Sequence, residues 1–374
     1  LRAVNPDLSD FLKDYSFELP EHLIAQEPSL EREDARLLVV RRHPEKGLPR
    51  FEDLRVSDLP SLVAETALLR DALWVRNRSR VLPARFYVKR PSGSRHEIVL
   101  LEEKEPGLWT ALMRNSAKMS FPQELFVDGL PEGEVRKIVC PEVGVVDVRG
   151  LGVPLQDLLA RVGEMPLPPY IRSRETKRDF ERYQPVWALE GEDKSVAAPT
   201  ASLHFTPALL EKLSRAGVEF ADTVLHVGLG TFEPVRCERL SEHVLHDERF
   251  FVPAKDFALL EKADAEKRPL LCVGTTALRS LESLPLNGRA KRAEVRCATN
   301  ADGSVSGRTH LFVRPGFEFA ATRALLTNFH LPESTLFVLV ATFAESRSLA
   351  QEAYGHAIAR GYRFFSYGDA SLWI

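Results

Sequence analysis

The amino-acid sequence predicts an α/β protein with a largely parallel sheet, attached to a small β-barrel or sandwich. Two patterns carry this. Between residues 71 and 155, short apolar segments recur at even spacing with turn residues between them. From residue 156 onward, strand and helix signals alternate, the mark of an α/β domain. With 374 residues the chain is long enough for two or three domains with real cores. We divide it into an N-terminal α/β part (1–70), an inserted β-barrel (71–155) and a main α/β part holding the substrate site (156–374).

In the first part, Leu37–Val40 is a strand signal and Leu59–Leu69 a helix signal. The barrel segments follow as LWVRN, RFYVK, HEIVLLE, LWTALM, ELFVDG, VRKIVC and GVVDV, with Pro91-Ser92-Gly93 and Pro131-Glu132-Gly133 among the turns. Leu155–Val162 reads as a helix, and MPLPPYI after it as a proline-stiffened connection. Pro207–Ala216 is an amphipathic helix signal. Beyond it we expect strands at Thr223–Val227, Leu270–Val273, Leu325–Asn328 and Arg363–Tyr367, and helices at Thr276–Ser283 and Ser334–Phe343.

Composition narrows the class. The chain is 44% hydrophobic and 28% charged, as in soluble globular proteins. Its longest apolar run, Leu336–Ala344, is too short to span a bilayer, and the N-terminus lacks an apolar signal core. No membrane partner is expected. Cys140, Cys237, Cys272 and Cys297 are scattered with no CxxC pair, which suits reduced thiols in a cytoplasmic protein. A net charge of −3 argues against indiscriminate nucleic-acid binding. Two local clusters point the other way: Arg76, Arg78, Arg80, Arg85, Lys89 and Arg90; and Arg172, Arg174, Lys177, Arg178 and Arg182. Such clusters on a near-neutral protein suit a phosphate-lined partner held in one orientation, or else are solvated faces paired with nearby acids.

Polar residues gather where strands should end, and in α/β folds ligands sit at the carboxyl ends of strands. SVAAPTASLHF brings Ser195, Thr200 and His204; LHVGLGTF brings His226, Gly228, Gly230 and Thr231. LLCVGTTALRSLE runs from a strand through Gly274, Thr275 and Thr276 into a helix carrying Arg279, where backbone N–H groups favour an anion. LLTNFHLPESTL offers Asn328 and His330, and RFFSYGDA offers Ser366, Tyr367 and Asp369. Gly228 and Gly230 lack the third glycine of a dinucleotide fingerprint, so no nicotinamide or flavin is expected. His243, His246 and Glu248 have spacing that could ligate a metal, but without an HExxH or cysteine-rich partner we expect substrate-binding or structural roles and no metal.

In order and density these stretches resemble one family, the S-adenosylmethionine:tRNA ribosyltransferase-isomerases of queuosine biosynthesis. The similarity includes DYSFELPEHLIAQEP, SRVLPAR, PLPPYI, RYQ, SVAAPTA, HVGLGTF, the His243/His246/Glu248 set, VGTT with Arg279 and Glu282, PGFEF, LTNFHLPEST and YRFFSYGDA. The resemblance implies a barrel-like α/β main domain with an inserted small antiparallel β-barrel. It also implies a reaction: the ribosyl part of S-adenosylmethionine is transferred and isomerised onto 7-aminomethyl-7-deazaguanine at the tRNA wobble position, giving epoxyqueuosine-tRNA, adenine and methionine. S-adenosylmethionine is then a co-substrate, no separate cofactor is needed, and the expected state is a monomer.

The chemistry needs a base beside the sulfonium and an acid for departing adenine, and histidine suits either near neutral pH. His204, His226 and His330 are the first candidates, with Tyr183, Glu248 and Asp369 behind them. Arg182 and Gln184 of RYQ join the substrate-binding set. The chain also departs from the family pattern. Arg70, Lys194, Ser202 and Glu345 stand where glycine is usual, and Arg78 where aspartate is usual. A residue in place of glycine at 202 could lose a positive φ or crowd a ligand. A divergent paralogue therefore stays open at this point, either with another nucleoside acceptor or as a non-catalytic RNA-binding module.

Overall fold

A computed structural model gives the fold and describes residues 7–45, 47–114, 116, 119–168, 170–171, 180–189, 193–228, 235–289 and 292–374. Its strands, in chain order, are β1 Arg36–Val40, β2 Phe51–Arg55, β3 Leu73–Asn77, β4 Arg80–Val81, β5 Arg85–Lys89, β6 Arg95–Glu105, β7 Leu108–Met113, β8 Gln123–Val127, β9 Lys137–Cys140, β10 Val145–Asp147, β11 Asp193–Ser195, β12 Glu219–Leu225, β13 Glu248–Val252, β14 Leu270–Val273, β15 Val295–Thr299, β16 Val305–Thr309, β17 Thr322–Asn328 and β18 Ala370–Trp373. Ten of them form one mixed sheet in the order β15-β16-β13-β12-β3-β14-β17-β18-β1-β2. Its centre, β12-β3-β14-β17, is parallel throughout.

The sheet is buried on both faces, which is why β14 reads Leu-Leu-Cys-Val with all four residues buried. Alternate residues of one strand enter different cores. Leu73 and Val75 pack with Leu260, Leu278 and Phe337 on one face, while Trp74 packs with Leu62, Leu209 and Leu213 on the other. Local chemistry starts the flanking helices. The Thr206 hydroxyl accepts from the Leu209 N–H ahead of Pro207–Arg215, and the Ser334 hydroxyl accepts from the Phe337 N–H ahead of Thr335–Phe343. Glu282, at the end of the helix Thr275–Glu282, is buried and accepts the backbone N–H groups of Ala320, Ala321 and Thr322, fixing where β17 begins.

The second unit is a closed six-stranded antiparallel barrel, β10-β7-β6-β5-β8-β9. Period-two alternation fills it: Phe86 and Val88, Ile98 and Leu100 point into a common core. The Glu102 carboxylate on β6 holds the barrel to the large sheet through Arg249 and Arg308, each at 2.9 Å.

Four expectations change. The large sheet is mixed rather than largely parallel: five of its nine strand pairings are antiparallel and only the centre and the β18–β1 pair are parallel. LWVRN is not a barrel strand: it is β3, between β12 and β14 at the centre of the large sheet. Leu59–Leu69 is two helices, Leu59–Glu65 and Ala67–Asp71, parted at Thr66, whose φ −111° and ψ 107° are extended. Arg363–Tyr367 is a turn with a single bridge at Phe364, because Phe365 takes φ +75°; the strand starts at Ala370.

Candidate active site

The carboxyl ends of β14 and β17, the loop after Ser195 and the turn at Phe365 enclose a cavity of about 370 Å³. Each wall has a local cause. After β14 the chain turns at Gly274, whose φ of +91° suits glycine and whose backbone lies against Ala201. The helix Thr275–Glu282 then starts with no side-chain cap among the described residues, and Thr275 and Thr276 of its first turn line the cavity. The loop from Ser195 is stitched by one hydroxyl: Ser195 Oγ donates to the Ala197 carbonyl at 2.7 Å and accepts from the Val227 N–H at 3.0 Å. That presents Ala197, Pro199 and Thr200 to the cavity.

Beyond β17, Asn328 and His330 line the opposite side. Asn328 Nδ2 donates to the Phe365 carbonyl (3.1 Å) and faces His204 Nε2 at 3.3 Å, while its Oδ1 is buried without a partner among the described residues. Thr276 Oγ1 is likewise buried and unpartnered. Two such polar atoms in residues lining one cavity are what a hydrogen-bonding ligand would satisfy. The turn completes the wall. The Tyr170 and Phe365 ring centroids lie 3.9 Å apart with the rings tilted by 37°, and the Tyr170 hydroxyl bonds Ser366 Oγ. Phe365 is held in the left-handed region beside the cavity, the kind of place where backbone strain collects.

The three histidines separate. His330 borders the cavity, bonded through Nε2 to Thr327 Oγ1 at 3.0 Å, and burial pushes its pKa down to about 3. His204 does not border it. His204 is also pushed down to about 3, by burial first and then by the nearby Arg363 and Arg32. Since Asn328 Nδ2 can only donate, His204 Nε2 accepts, and the imidazole is neutral. His226, half-buried, lies outside the lining, next to Val227, which is in it.

Beside the main cavity is a recess of about 30 Å³ that shares Thr335 and Leu336 with it. Glu248, Arg279 and His246 line the recess. Glu248 accepts the Gly228 N–H at 3.1 Å through one oxygen and forms a buried ion pair with Arg279 through the other. His243 packs edge-on against Phe312, and burial together with His246 lowers its pKa.

Several residues expected at the ligand brace the site instead. Both Asp369 oxygens accept backbone N–H groups, from Arg36 and Arg363, which locks the turn bearing Phe365. Tyr183 is fully buried and packs edge-on to Tyr367 at 5.8 Å. Arg182 donates to the Ser29 and Leu30 carbonyls, and Gln184 pairs with both backbone groups of Val81. Of the basic residues, Arg76 is spent on Asp222 at 2.6 Å and on the Trp187 and Phe220 rings, and Arg85 donates to the Leu167 carbonyl. Neither is displayed for a phosphate. Arg78 and Arg80 are half-buried. Gly230, Thr231, Arg172, Arg174, Lys177 and Arg178 lie outside the described residues. Ser202 has no positive φ, so that concern falls away, whereas Glu345 does sit at φ +55°.

Among the cavity residues that the sequence motifs do not single out are Tyr170, Phe365 and Thr327. Tyr170 was hidden in a proline-rich stretch taken as a connection.

Comparison with known proteins decides the family. The family described as queuosine biosynthesis protein matches residues 12–373, nearly the whole chain. This chain belongs to that family. Within the family, it is 41% identical over 360 residues to the S-adenosylmethionine:tRNA ribosyltransferase-isomerase of Thermosipho africanus, covering 96% of this chain and 98% of that one. It is 42% identical over 364 residues to the protein of the same name from an Anaeromyxobacter species, again covering 96% and 98%. Among solved structures, the S-adenosylmethionine tRNA ribosyltransferase of Thermotoga maritima matches with 32% identity and a TM-score of 0.51, over 96% of this chain and 99% of that one. Among the described residues, no helix is long and apolar enough to cross a membrane.

Proposed function

We propose that this protein transfers and isomerises the ribosyl group of S-adenosylmethionine onto 7-aminomethyl-7-deazaguanine in the wobble position of tRNA, releasing adenine and methionine. One observation carries the reading: relatives of that name match at about 40% identity along 96% of the chain, so the resemblance is not confined to one motif. The cavity supports it, since it lies where α/β folds hold ligands and offers unpartnered polar atoms beside an aromatic pair. The Tyr170–Phe365 pair is the surface on which adenine would rest, with Asn328 and Thr276 completing its hydrogen bonds or those of the ribose.

Of the three candidate histidines, His330 is the one at the cavity wall, and the base role falls to it. Burial holds it neutral, the form a base needs, and disqualifies it as the acid for adenine. Its low basicity is offset by the sulfonium, which acidifies the carbon beside it. His204 acts through Asn328 and is a positioning residue. tRNA is the partner and S-adenosylmethionine the co-substrate, with no separate cofactor, and the working unit is a monomer.

The test is adenine release with S-adenosylmethionine and tRNA carrying the aminomethyl base, beside tRNA lacking it, with mass analysis of the digested tRNA. Adenine release and epoxyqueuosine only with the modified tRNA are expected. Release with another nucleoside acceptor, or none with any tRNA, would reject the assignment.

A further inference from the structure

The recess beside the main cavity contains a charge arrangement that the reaction itself does not call for. Arg279 is 8% exposed and Glu248 7%. Arg279 Nε donates to the Leu311 carbonyl at 3.1 Å and Nη1 to Glu248, while Nη2 is buried with no partner among the described residues. A guanidinium N–H left idle in the interior costs free energy, and a native structure that keeps one at a ligand wall is reserving it for something. The position fits. Arg279 follows Thr275 and Thr276 by one helical turn, so it lies on their face of the helix, beneath the main cavity. Thr335 and Leu336 form the partition between cavity and recess.

We propose that Arg279 Nη2 binds the carboxylate of the amino-acid end of S-adenosylmethionine, with Glu248 facing its ammonium; this rests on the function proposed above. The recess, about 30 Å³, holds more than the 10–15 Å³ that one water needs and less than a whole ligand. That is room for a carboxylate head group. The charges also match. The ion pair is neutral overall, as is the zwitterionic end of the substrate, so docking one on the other buries no net charge. Glu248 has lone pairs to spare after accepting from Gly228 and Arg279. Adenosine in the large cavity and the amino-acid end in the recess would put the sulfonium near the partition.

Calorimetry with S-adenosylmethionine and with its decarboxylated analogue, which keeps sulfonium and ammonium, tests this. The parent should prefer the carboxylate-bearing compound by about 10–100-fold, the usual weight of a charge-assisted hydrogen bond. Arg279→Lys should lose most of that preference. The neutral pair Glu248→Gln with Arg279→Gln should lose all of it while leaving no lone buried charge to unfold the protein. In Arg279→Lys, affinity for the decarboxylated analogue should stay within a few-fold of the parent's, whereas the double change also removes the Glu248 carboxylate from the ammonium and should weaken both compounds to a common level. A preference that survives removal of Arg279 would overturn the inference and place the carboxylate at the uncapped helix start at Thr275. A parent that releases adenine yet shows no preference would overturn it too. A parent that binds neither compound would instead bring down the function on which the inference rests.

Discussion

His204 gives the sharpest test of how the site works, because sequence motif and structure assign it different jobs. As a general acid or base it would lose about 10²–10⁴ in rate when changed to Gln. As the acceptor that orients Asn328, it is replaceable by the Gln side-chain oxygen, which can sit near the position of Nε2. The bond concerned is 3.3 Å long, and Asn328 Nδ2 keeps its second partner, the Phe365 carbonyl at 3.1 Å. Loss of one such bond costs about 0.5–1.5 kcal/mol, or roughly 2- to 12-fold. We expect His204→Gln to release adenine within about 3-fold of the parent, and His204→Leu, which strands the donor, to fall by roughly 5- to 100-fold. With its pKa near 3, His204 should leave no limb in the rate profile from about pH 5 to 9. The assay is single-turnover adenine release at saturating S-adenosylmethionine and tRNA, beside thermal melts. A folded His204→Gln protein slowed 100-fold or more, with a shifted pH profile, would refute the positioning role.

Three further outcomes follow from the same geometry. His204 and His330 are held neutral with folded pKa values of about 3 against an ordinary 6.5, so the unfolded chain takes up protons the folded one refuses. Stability should be full above pH 6.5 and fall as pH drops toward 3, by up to about 1.4 kcal/mol per pH unit for each histidine; urea titrations of the parent and of His204→Gln with His330→Gln should differ in that slope. Arg76→Ala should lower stability by about 2 kcal/mol through loss of its shielded ion pair and ring contacts, while the slope of log affinity for tRNA against log salt stays unchanged, as a filter-binding series would record. Glu345→Gly should be tolerated and Glu345→Val should cost about 1–2 kcal/mol in denaturant melts, because a β-branched residue is poorly accommodated at φ +55°.

What the sequence discloses and conceals divides along the range of the interactions. The Gly274-Thr275-Thr276 turn and the helix start at Ser334 are local chemistry, and both stand where the motifs place them, the helix start through a Ser334 cap. β3 was misassigned because Leu-Trp-Val-Arg-Asn looks the same in a barrel as at the centre of a sheet; its partners are β12 and β14, well over a hundred residues away. Arg363–Tyr367 has the aromatic content of a strand, but the tertiary need to turn at Phe365 overrides that preference. The arginine cluster declared its charge and not its partner: Asp222, which occupies Arg76, is remote in sequence. Polar motif residues read as ligand contacts, yet some of them, Asp369, Gln184 and Arg182, hold backbone in place.

That bracing has a chemical consequence at the cavity wall. The described residues that line it include one carboxylate, Glu333, and no lysine or arginine. His330 is kept uncharged by its surroundings, and the guanidinium of Arg279 is set back in the recess against Glu248. A charged imidazole at the wall would repel a sulfonium in a site where screening by water is poor. On the proposed base role, burial of His330 would serve two ends at once: it would keep the proton acceptor unprotonated, and it would keep a second cation away from the one that the substrate brings. Binding of that cation would press the His330 pKa lower still, so substrate and wall reinforce the same protonation state.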